Sequence, residues 1–373
     1  MNIAVNTRLL LSNRLEGIGW FTFETLKRIT KQHPEHRFIF IFDRPYSNEF
    51  IFSDNITPVV VAPPTRHPLL WYIWFEWALP RVLKKYKADL FFSPDGWLSL
   101  RTDVRSINVI HDLNFNHYPE FIPFHVRKYY HYFFPRFVKK ASRIATVSEF
   151  SKQDIISTYK IDPEKIDVVY NGANELYKPV SNEEQLLTRK EYTNGAPYFM
   201  FVGLIHPRKN IANLFLAFDS FKKKFTSDIK LVIVGEKKWW TSDIEKAFNG
   251  MQYKNDVVFA GRLAPEKLKN VIASALAMTY IPCFEGFGIP ILEAMYCDVP
   301  VITSNVSSMP EVSGDAAIFV DPFSVDSIVE GMLKMAKDDG YRNSLIEKGK
   351  VRRQNFSWDK TAEKLWKCIE KEI

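Results

Sequence analysis

Apolar runs recur along the whole chain, and each is followed by a longer stretch with one apolar face. Short bounded runs of this kind predict buried strands, and the stretches between them predict amphipathic helices. In the first half the strand-like runs fall at residues 2–10, 37–42, 57–62, 88–93, 106–111, 142–148 and 166–170, with a helix expected over 20–31. A polar segment, 178–197 (KPVSNEEQLLTRKEYTNGAP), then breaks the alternation. It is bracketed by Pro179 and Pro197, contains Asn194-Gly195 and reads as a linker between domains. After it, strands are expected at 198–204, 230–234, 256–260, 276–282, 299–304 and 316–320. Helices are expected at 210–225, 242–249, 265–274 and 325–337. The end of the chain, 358–373 (WDKTAEKLWKCIEKEI), predicts a helix with one apolar face.

Such alternation argues for parallel sheets covered by helices on both faces. The expectation is an α/β protein of two Rossmann-like, doubly wound domains: residues 1–178 and 198–356, a linker at 179–197, and a final helix over 357–373 that can cross back to the first domain. Ligands of such sheets sit at the carboxyl ends of the strands.

Composition narrows the class. Of 373 residues, 46% are hydrophobic and 25% charged, a globular balance that excludes a disordered chain. No apolar run is long enough to cross a bilayer. The start, Met1-Asn2-Ile3-Ala4-Val5-Asn6, has no basic leader or cleavage site. The three cysteines, Cys283, Cys297 and Cys368, are too few for a disulfide framework. These features point to a cytoplasmic protein with reduced thiols. The net charge of +7 is uneven: residues 1–178 hold 24 Lys and Arg against 18 Asp and Glu, the remainder 26 against 25. The first half is therefore the one expected to face an anionic partner.

The densest chemistry lies at 284–293, Phe284-Glu285-Gly286-Phe287-Gly288-Ile289-Pro290-Ile291-Leu292-Glu293. It joins an apolar run, 277–283 (AMTYIPC), to an apolar segment, 290–297 (PILEAMYC), as a strand would feed a helix. Pro290 suits the first helical position. Gly286 and Gly288 let the backbone turn tightly and approach a ligand. The amides at Gly288 and Ile289 then form a positive helix end that can seat a phosphate or sugar hydroxyls. Glu285 and Glu293 can face one crevice, although a lone pair of glutamates is more often solvated.

A second segment changes that balance. Gly203-Leu204-Ile205-His206-Pro207-Arg208-Lys209-Asn210 ends the strand at 198–204 and places two cations at the start of the next helix. Cations there oppose the helix dipole and need an anionic partner. A guanidinium fork beside a mobile ammonium suits a diphosphate.

In the first half, His111 ends the strand at 106–111, where it can bond a phosphate or a sugar hydroxyl or serve only the structure. Gly17-Ile18-Gly19 makes a small-residue turn ahead of a helix, the opening of a nucleotide-binding α/β unit. Two segments, 67–77 and 121–140, are unusually aromatic. The second mixes its rings with Arg127, Lys128, Arg136, Lys139 and Lys140 and is interrupted by Pro135. Such a stretch can lie on anionic lipid headgroups, or its rings can be core and its cations a solvated face.

Taken together, these residues resemble the retaining nucleotide-sugar-dependent glycosyltransferases of family 4, which have the two-domain GT-B fold. The matching pieces are Glu285-Gly-Phe-Gly-Ile-Pro-Ile-Leu-Glu293, Val202-Gly203 with Arg208-Lys209-Asn210, and Val109-Ile110-His111-Asp112. The Gly17-Ile18-Gly19 turn, Thr146-Val147-Ser148-Glu149 and Phe356-Ser357-Trp358 add to them. The resemblance covers nearly the whole chain and leans toward the mannosyltransferase-like branch that builds bacterial surface polysaccharides.

It implies two domains facing each other across a cleft, the first binding the acceptor and the second the donor. Glu293 would hold the ribose, Glu285 the donor sugar, and Arg208 and Lys209 the diphosphate. Gly203 and the backbone of Gly286, Phe287, Gly288 and Ile289 would line the donor site. His111 with Gly17 and Gly19 would reach in from the other domain. The chain departs from the family at Leu204, where many members carry an arginine.

The implied reaction moves a hexose, mannose favoured, from a nucleotide diphosphate sugar to a glycan or polyprenyl-diphosphate-linked glycan. GDP-mannose is expected ahead of UDP-sugars. No two aspartates are separated by a single residue, so no D-x-D metal site and no metal cofactor are expected. The expected setting is cytoplasmic, peripheral on the inner membrane face through weak anionic contact, with no nucleic acid partner. Competing readings are a GT-B enzyme of another reaction, such as a sugar-nucleotide epimerase, and an inactive sugar-nucleotide-binding scaffold. A phosphorylase would need a pyridoxal lysine motif, and a periplasmic-type binding protein an export signal. Neither is seen in the sequence.

Overall fold

A computed structural model of the chain describes residues 1–12 and 14–373. Among these residues lie two sheets, one of seven strands and one of six, and every paired strand is parallel. The chain divides into two units, the first of residues 1–172 and 358–373, the second of residues 173–357.

The first unit holds β1 (Asn2–Asn6), β2 (Arg37–Phe42), β3 (Ile56–Val60), β4 (Leu90–Ser93), β5 (Arg105–Ile110), β6 (Arg143–Thr146) and β7 (Ile166–Val168), in the order β3-β2-β1-β4-β5-β6-β7. Its strands are apolar along nearly their whole length because both faces of the sheet are covered. The order reverses between β1 and β4, which opens a crevice at the carboxyl ends of those strands.

Several elements differ from the sequence expectation. The strand foreseen at 2–10 ends at Asn6, because the Leu10 amide bonds back to the Thr7 carbonyl at 3.0 Å. Arg8 turns inward to pair with Asp95 at 2.6 Å, over the ring of Trp97. Gly17 and Gly19 do not form a turn ahead of the helix. They are the first turn of the helix Gly17–Gln32 itself. That helix packs against the closing helix Trp358–Glu370, where Phe21 meets Trp358 edge-on and His33 stacks on Trp366 at 3.6 Å.

Pro135 does not interrupt its helix, which runs unbroken over Phe124–Lys140. Its buried side, Tyr129, Phe134, Phe137 and Val138, is fixed in an aromatic cluster with Trp71, Phe75 and Trp97. That packing holds the helical path through the proline. The two aromatic segments are therefore largely core. The exposed rings are Trp77, with Arg101 over it, Phe124, with Lys128 over it, and Tyr132, with Arg136 over it.

The second unit holds β8 (Tyr198–Val202), β9 (Lys230–Val234), β10 (Val257–Gly261), β11 (Ala277–Tyr280), β12 (Val301–Ser304) and β13 (Ala317–Val320), in the order β10-β9-β8-β11-β12-β13. Here the order reverses between β8 and β11. The stretch read as a linker at 179–197 carries the helix Asn182–Thr193, which packs on the helix Pro265–Ala273 and on β10. A reciprocal capping box between Ser181 and Glu184 starts it. Its Leu186 and Leu187 are exposed, so no apolar periodicity announced it. The division between units accordingly falls at Gly172 and Ala173, ahead of the expected boundary at 178.

Candidate active site

The segment after β8 is shaped by its backbone. Gly203 takes φ +146°, open to glycine. Pro207–Lys209 then forms a short 3-10 turn, and the His206 ring accepts the Arg208 amide at 3.2 Å. Asn210, left-handed at φ +62°, begins the helix Ile211–Lys224 and donates its side-chain amide to the Pro322 carbonyl at 2.7 Å. Arg208 and Lys209 thus stand in the turn just before the helix. The Cys283 amide bonds to the Arg208 carbonyl at 2.9 Å and ties this turn to the segment leaving β11.

That segment carries Glu285, a buried carboxylate at which both cations converge. Arg208 Nη1 lies 2.5 Å from Glu285 Oε1 and also donates to the Phe284 carbonyl at 2.8 Å. The Lys209 ammonium bonds the same carboxylate and the Tyr280 hydroxyl, the latter at 2.6 Å. Burial alone would disfavour the Glu285 charge, but Arg208 and then Lys209 outweigh it and pull its pKa down to about 2. The same burial pushes the Tyr280 phenol well above its ordinary value, reinforced by the Glu285 charge. His206 is driven down to about 4 by burial and by the charges of Arg208 and Lys209. Two cations thus face one fixed carboxylate in this trio.

Gly288 turns the chain into the helix Ile289–Tyr296 at φ +96°, a left-handed cap that suits glycine. A Cβ there would meet Met309 Cε at 2.8 Å, so the position is also sterically closed. Pro290 is the second residue of this helix rather than the first. The Phe287 ring is buried, edge-on to Phe356 at 5.6 Å, which leaves its backbone as the part able to serve a ligand.

Glu293 lies one turn further along. By area it is half-buried, yet its carboxyl is densely surrounded, and burial pushes its pKa up to about 7 despite a hydrogen bond from Tyr177. The Tyr177 phenol is raised in turn, by burial and by the Glu293 charge.

Gly17, Gly19 and His111 belong to the first unit. Gly19 is buried, and a Cβ there would press on the Leu9 carbonyl oxygen at 3.0 Å. Nothing lies within 4 Å of one at Gly17. His111 Nε2 stands 2.8 Å from the Pro94 carbonyl, and its ring meets Phe21 edge-on at 5.0 Å. Burial lowers its pKa, against the opposing pull of the Pro94 bond, so the imidazole is neutral at pH 7.

The structure therefore joins Arg208, Lys209 and Glu285 in direct contact, next to the Gly288 helix cap. Glu293 is instead engaged with Tyr177. Sequence reasoning missed Tyr280, which sits in an apolar run, and Tyr177, which lies in a mixed segment, NGANELYKPV, with no motif to mark it. It also missed Ser307 and Ser308, which bond the Glu285 backbone. Among the described residues, no group of three or more His, Cys, Asp or Glu could hold a metal ion, and no helix is long and apolar enough to cross a membrane.

Two Rossmann-like units, one with a cationic turn beside a glycine-capped helix, are the architecture of the GT-B glycosyltransferases. Solved structures share it across the full chain. A cyanobacterial Anabaena protein, Alr3699/HepE in complex with UDP-glucose, superposes with a TM-score of 0.77 at 15% identity, covering 100% of both chains. WaaG, a glycosyltransferase involved in lipopolysaccharide biosynthesis, does so with a TM-score of 0.74 at 16% identity, covering 97% of this chain and 98% of its own.

Residues 15–175 match the model of Glycosyltransferase Family 4, and residues 184–352 that of Glycosyl transferases group 1. The O-antigen chain mannosyltransferase B of Escherichia coli is 30% identical over 92% of this chain and 93% of its own length. The O-antigen chain mannosyltransferase RfbU of Salmonella typhimurium is 31% identical over 68% and 67%. The chain belongs to the family 4 glycosyltransferases, in their mannosyltransferase-like branch.

Proposed function

We propose that this glycosyltransferase moves mannose, with retention, from GDP-mannose to a glycan or polyprenyl-diphosphate-linked glycan in O-antigen or related surface polysaccharide synthesis. The convergence of Arg208 and Lys209 on one site beside the Gly288 cap carries the reading. Breaking the glycosidic C–O bond leaves negative charge on the β-phosphate of the departing nucleoside diphosphate. Preorganised cations and helix amides stabilise that charge as it develops. In this reading the donor diphosphate shares Arg208 and Lys209 with Glu285, which then faces the sugar hydroxyls.

Glu293 accepts from the ribose. The backbones of Gly286, Phe287, Gly288 and Ile289 serve the sugar and phosphates, and Gly203 admits the donor closely. His111, with Gly17 and Gly19, contributes from the first unit, which binds the acceptor. No metal takes part. The nucleophile attacks from the face the nucleotide leaves, and a donor phosphate oxygen takes its proton. The named mannosyltransferase relatives support mannose over other hexoses, and GDP ahead of UDP follows the family resemblance. Weak contact of the first unit with anionic lipid at the inner membrane face would keep a lipid-linked acceptor within reach. A screen of nucleotide sugars for donor hydrolysis by the purified protein tests the reading. Turnover of GDP-mannose above all UDP-sugars is expected, and turnover of none would sink it.

A further inference from the structure

The loop that carries Glu285 is tied down by side chains of the segment that begins at the end of β12. From the last residue of β12 the chain reads Ser304-Asn305-Val306-Ser307-Ser308. Ser307 Oγ accepts the Glu285 amide at 3.1 Å and lies 3.0 Å from the Glu285 carbonyl, so one hydroxyl clips both polar groups of a single residue. Ser308 Oγ donates to that same carbonyl at 2.8 Å, and Ser304 Oγ to the Pro282 carbonyl at 2.5 Å. The following residue, Met309, fills the space against Gly288.

Ser307 reaches this position at a cost. Its φ is +56°, a left-handed conformation that L side chains rarely adopt. Glycine would take it without strain. A serine held there, with its hydroxyl spent on the backbone of a carboxylate that two cations share, is explained by the clip and by no other contact of its side chain among the described residues.

We propose that Ser307 is a positioning residue for Glu285. It fixes the main chain so that the carboxylate meets the donor sugar while Arg208 and Lys209 turn to the diphosphate. Ser308 supports the same carbonyl from the buried side. This inference rests on the reading of Glu285 as the sugar-facing carboxylate.

Two substitutions separate this role from a purely structural one. Ser307→Gly removes the hydroxyl and relieves the backbone. Ser307→Ala removes the hydroxyl and keeps the strain. Removing an outer contact that orients a reacting group commonly costs roughly 10–100-fold. Both variants are expected to lose turnover of GDP-mannose in that range, mainly in kcat, with GDP affinity unchanged by calorimetry. Ser307→Gly should do so with a melting temperature at or above wild type. If Ser307→Gly keeps wild-type kcat, the hydroxyl positions nothing and the inference fails. A parallel loss of GDP affinity would likewise overturn it, since the effect would then pass through the cations. Glu285→Ala, measured beside them, separates the two ideas. If it keeps transfer activity, the reading of Glu285 itself is at fault. If it loses transfer while both Ser307 variants keep theirs, only the positioning role falls.

Discussion

Arg208 and Glu285 form a buried ion pair with 2.5 Å between Nη1 and Oε1, and Lys209 shares the same carboxylate oxygen. The pair explains how two adjacent cations are tolerated without a bound anion: the protein supplies one. It also predicts a graded effect of mutation. On the proposed assignment, replacing either cation with alanine removes a group that would face developing phosphate charge, with an expected loss of roughly 10²–10³-fold in turnover. Steady-state kinetics of Arg208→Ala and Lys209→Ala with the best donor measures it. Wild-type rates should ignore both added Mg²⁺ and EDTA. A strong response to either would show that the cations do not stand in for a metal.

Glu293 should make nucleotide binding depend on pH. Its pKa is raised from 4.5 to about 7, so below neutrality the carboxyl is protonated and, on the proposed assignment, would accept ribose hydroxyls poorly. GDP affinity is therefore expected to rise from pH 6 to pH 8 and to lose this dependence in Glu293→Gln. Linkage gives the stability the opposite sign. The folded state holds this proton more tightly than the unfolded chain, so the group's stabilising contribution is complete below pH 4.5 and is lost as pH rises through about 7. Glu293→Ala should weaken GDP by about 1.5–3 kcal/mol for each charge-assisted bond lost. Calorimetry that finds unchanged affinity would remove Glu293 from the site.

Much of this was legible in the sequence, because strand-length apolar runs separated by amphipathic stretches admit few folds. The glycines at 286 and 288 and the paired cations at 208 and 209 also announce themselves by residue type. What stayed hidden did so for physical reasons. Helix Asn182–Thr193 is held by its capping box and not by an apolar face, so periodicity passed over it. Pro135 looked like a break because the tertiary clamp on Phe134 and Phe137 cannot be seen locally. Tyr280 sits in AMTYIPC as one more apolar residue, and only the structure aims its hydroxyl at Lys209. Glu285 adds a partner for Arg208 and Lys209 within the chain, a contact that residue type and spacing did not show.

His111 is the test of the first unit's contribution. With Nε2 against the Pro94 carbonyl, the proton is assigned to Nε2 and Nδ1 keeps its lone pair. A neutral imidazole so oriented can accept from a hydroxyl. His111→Ala is expected to lower turnover, with only a small fall in melting temperature from the lost edge contact with Phe21. Donor hydrolysis and thermal unfolding, measured on the same preparation, decide between roles. A large fall in melting temperature would make the histidine structural.

The last prediction concerns lipid. Most rings of the helix Phe124–Lys140 are core, which weakens the case for a membrane-embedded face. The exposed ones that remain, Phe124 and Tyr132, are each paired with cations. Each basic residue near an anionic surface adds about 1 kcal/mol, and ordinary salt screens it. Two exposed rings and five cations therefore suit weak, reversible attachment that high salt abolishes. Co-sedimentation with anionic against neutral vesicles, at low and high salt, measures this. Replacing Arg127, Lys128, Lys139 and Lys140 with Gln should release the protein from anionic vesicles and leave donor hydrolysis intact. If wild-type protein ignores anionic vesicles even at low salt, the cations are a solvated face. The acceptor would then reach the enzyme as a soluble glycan.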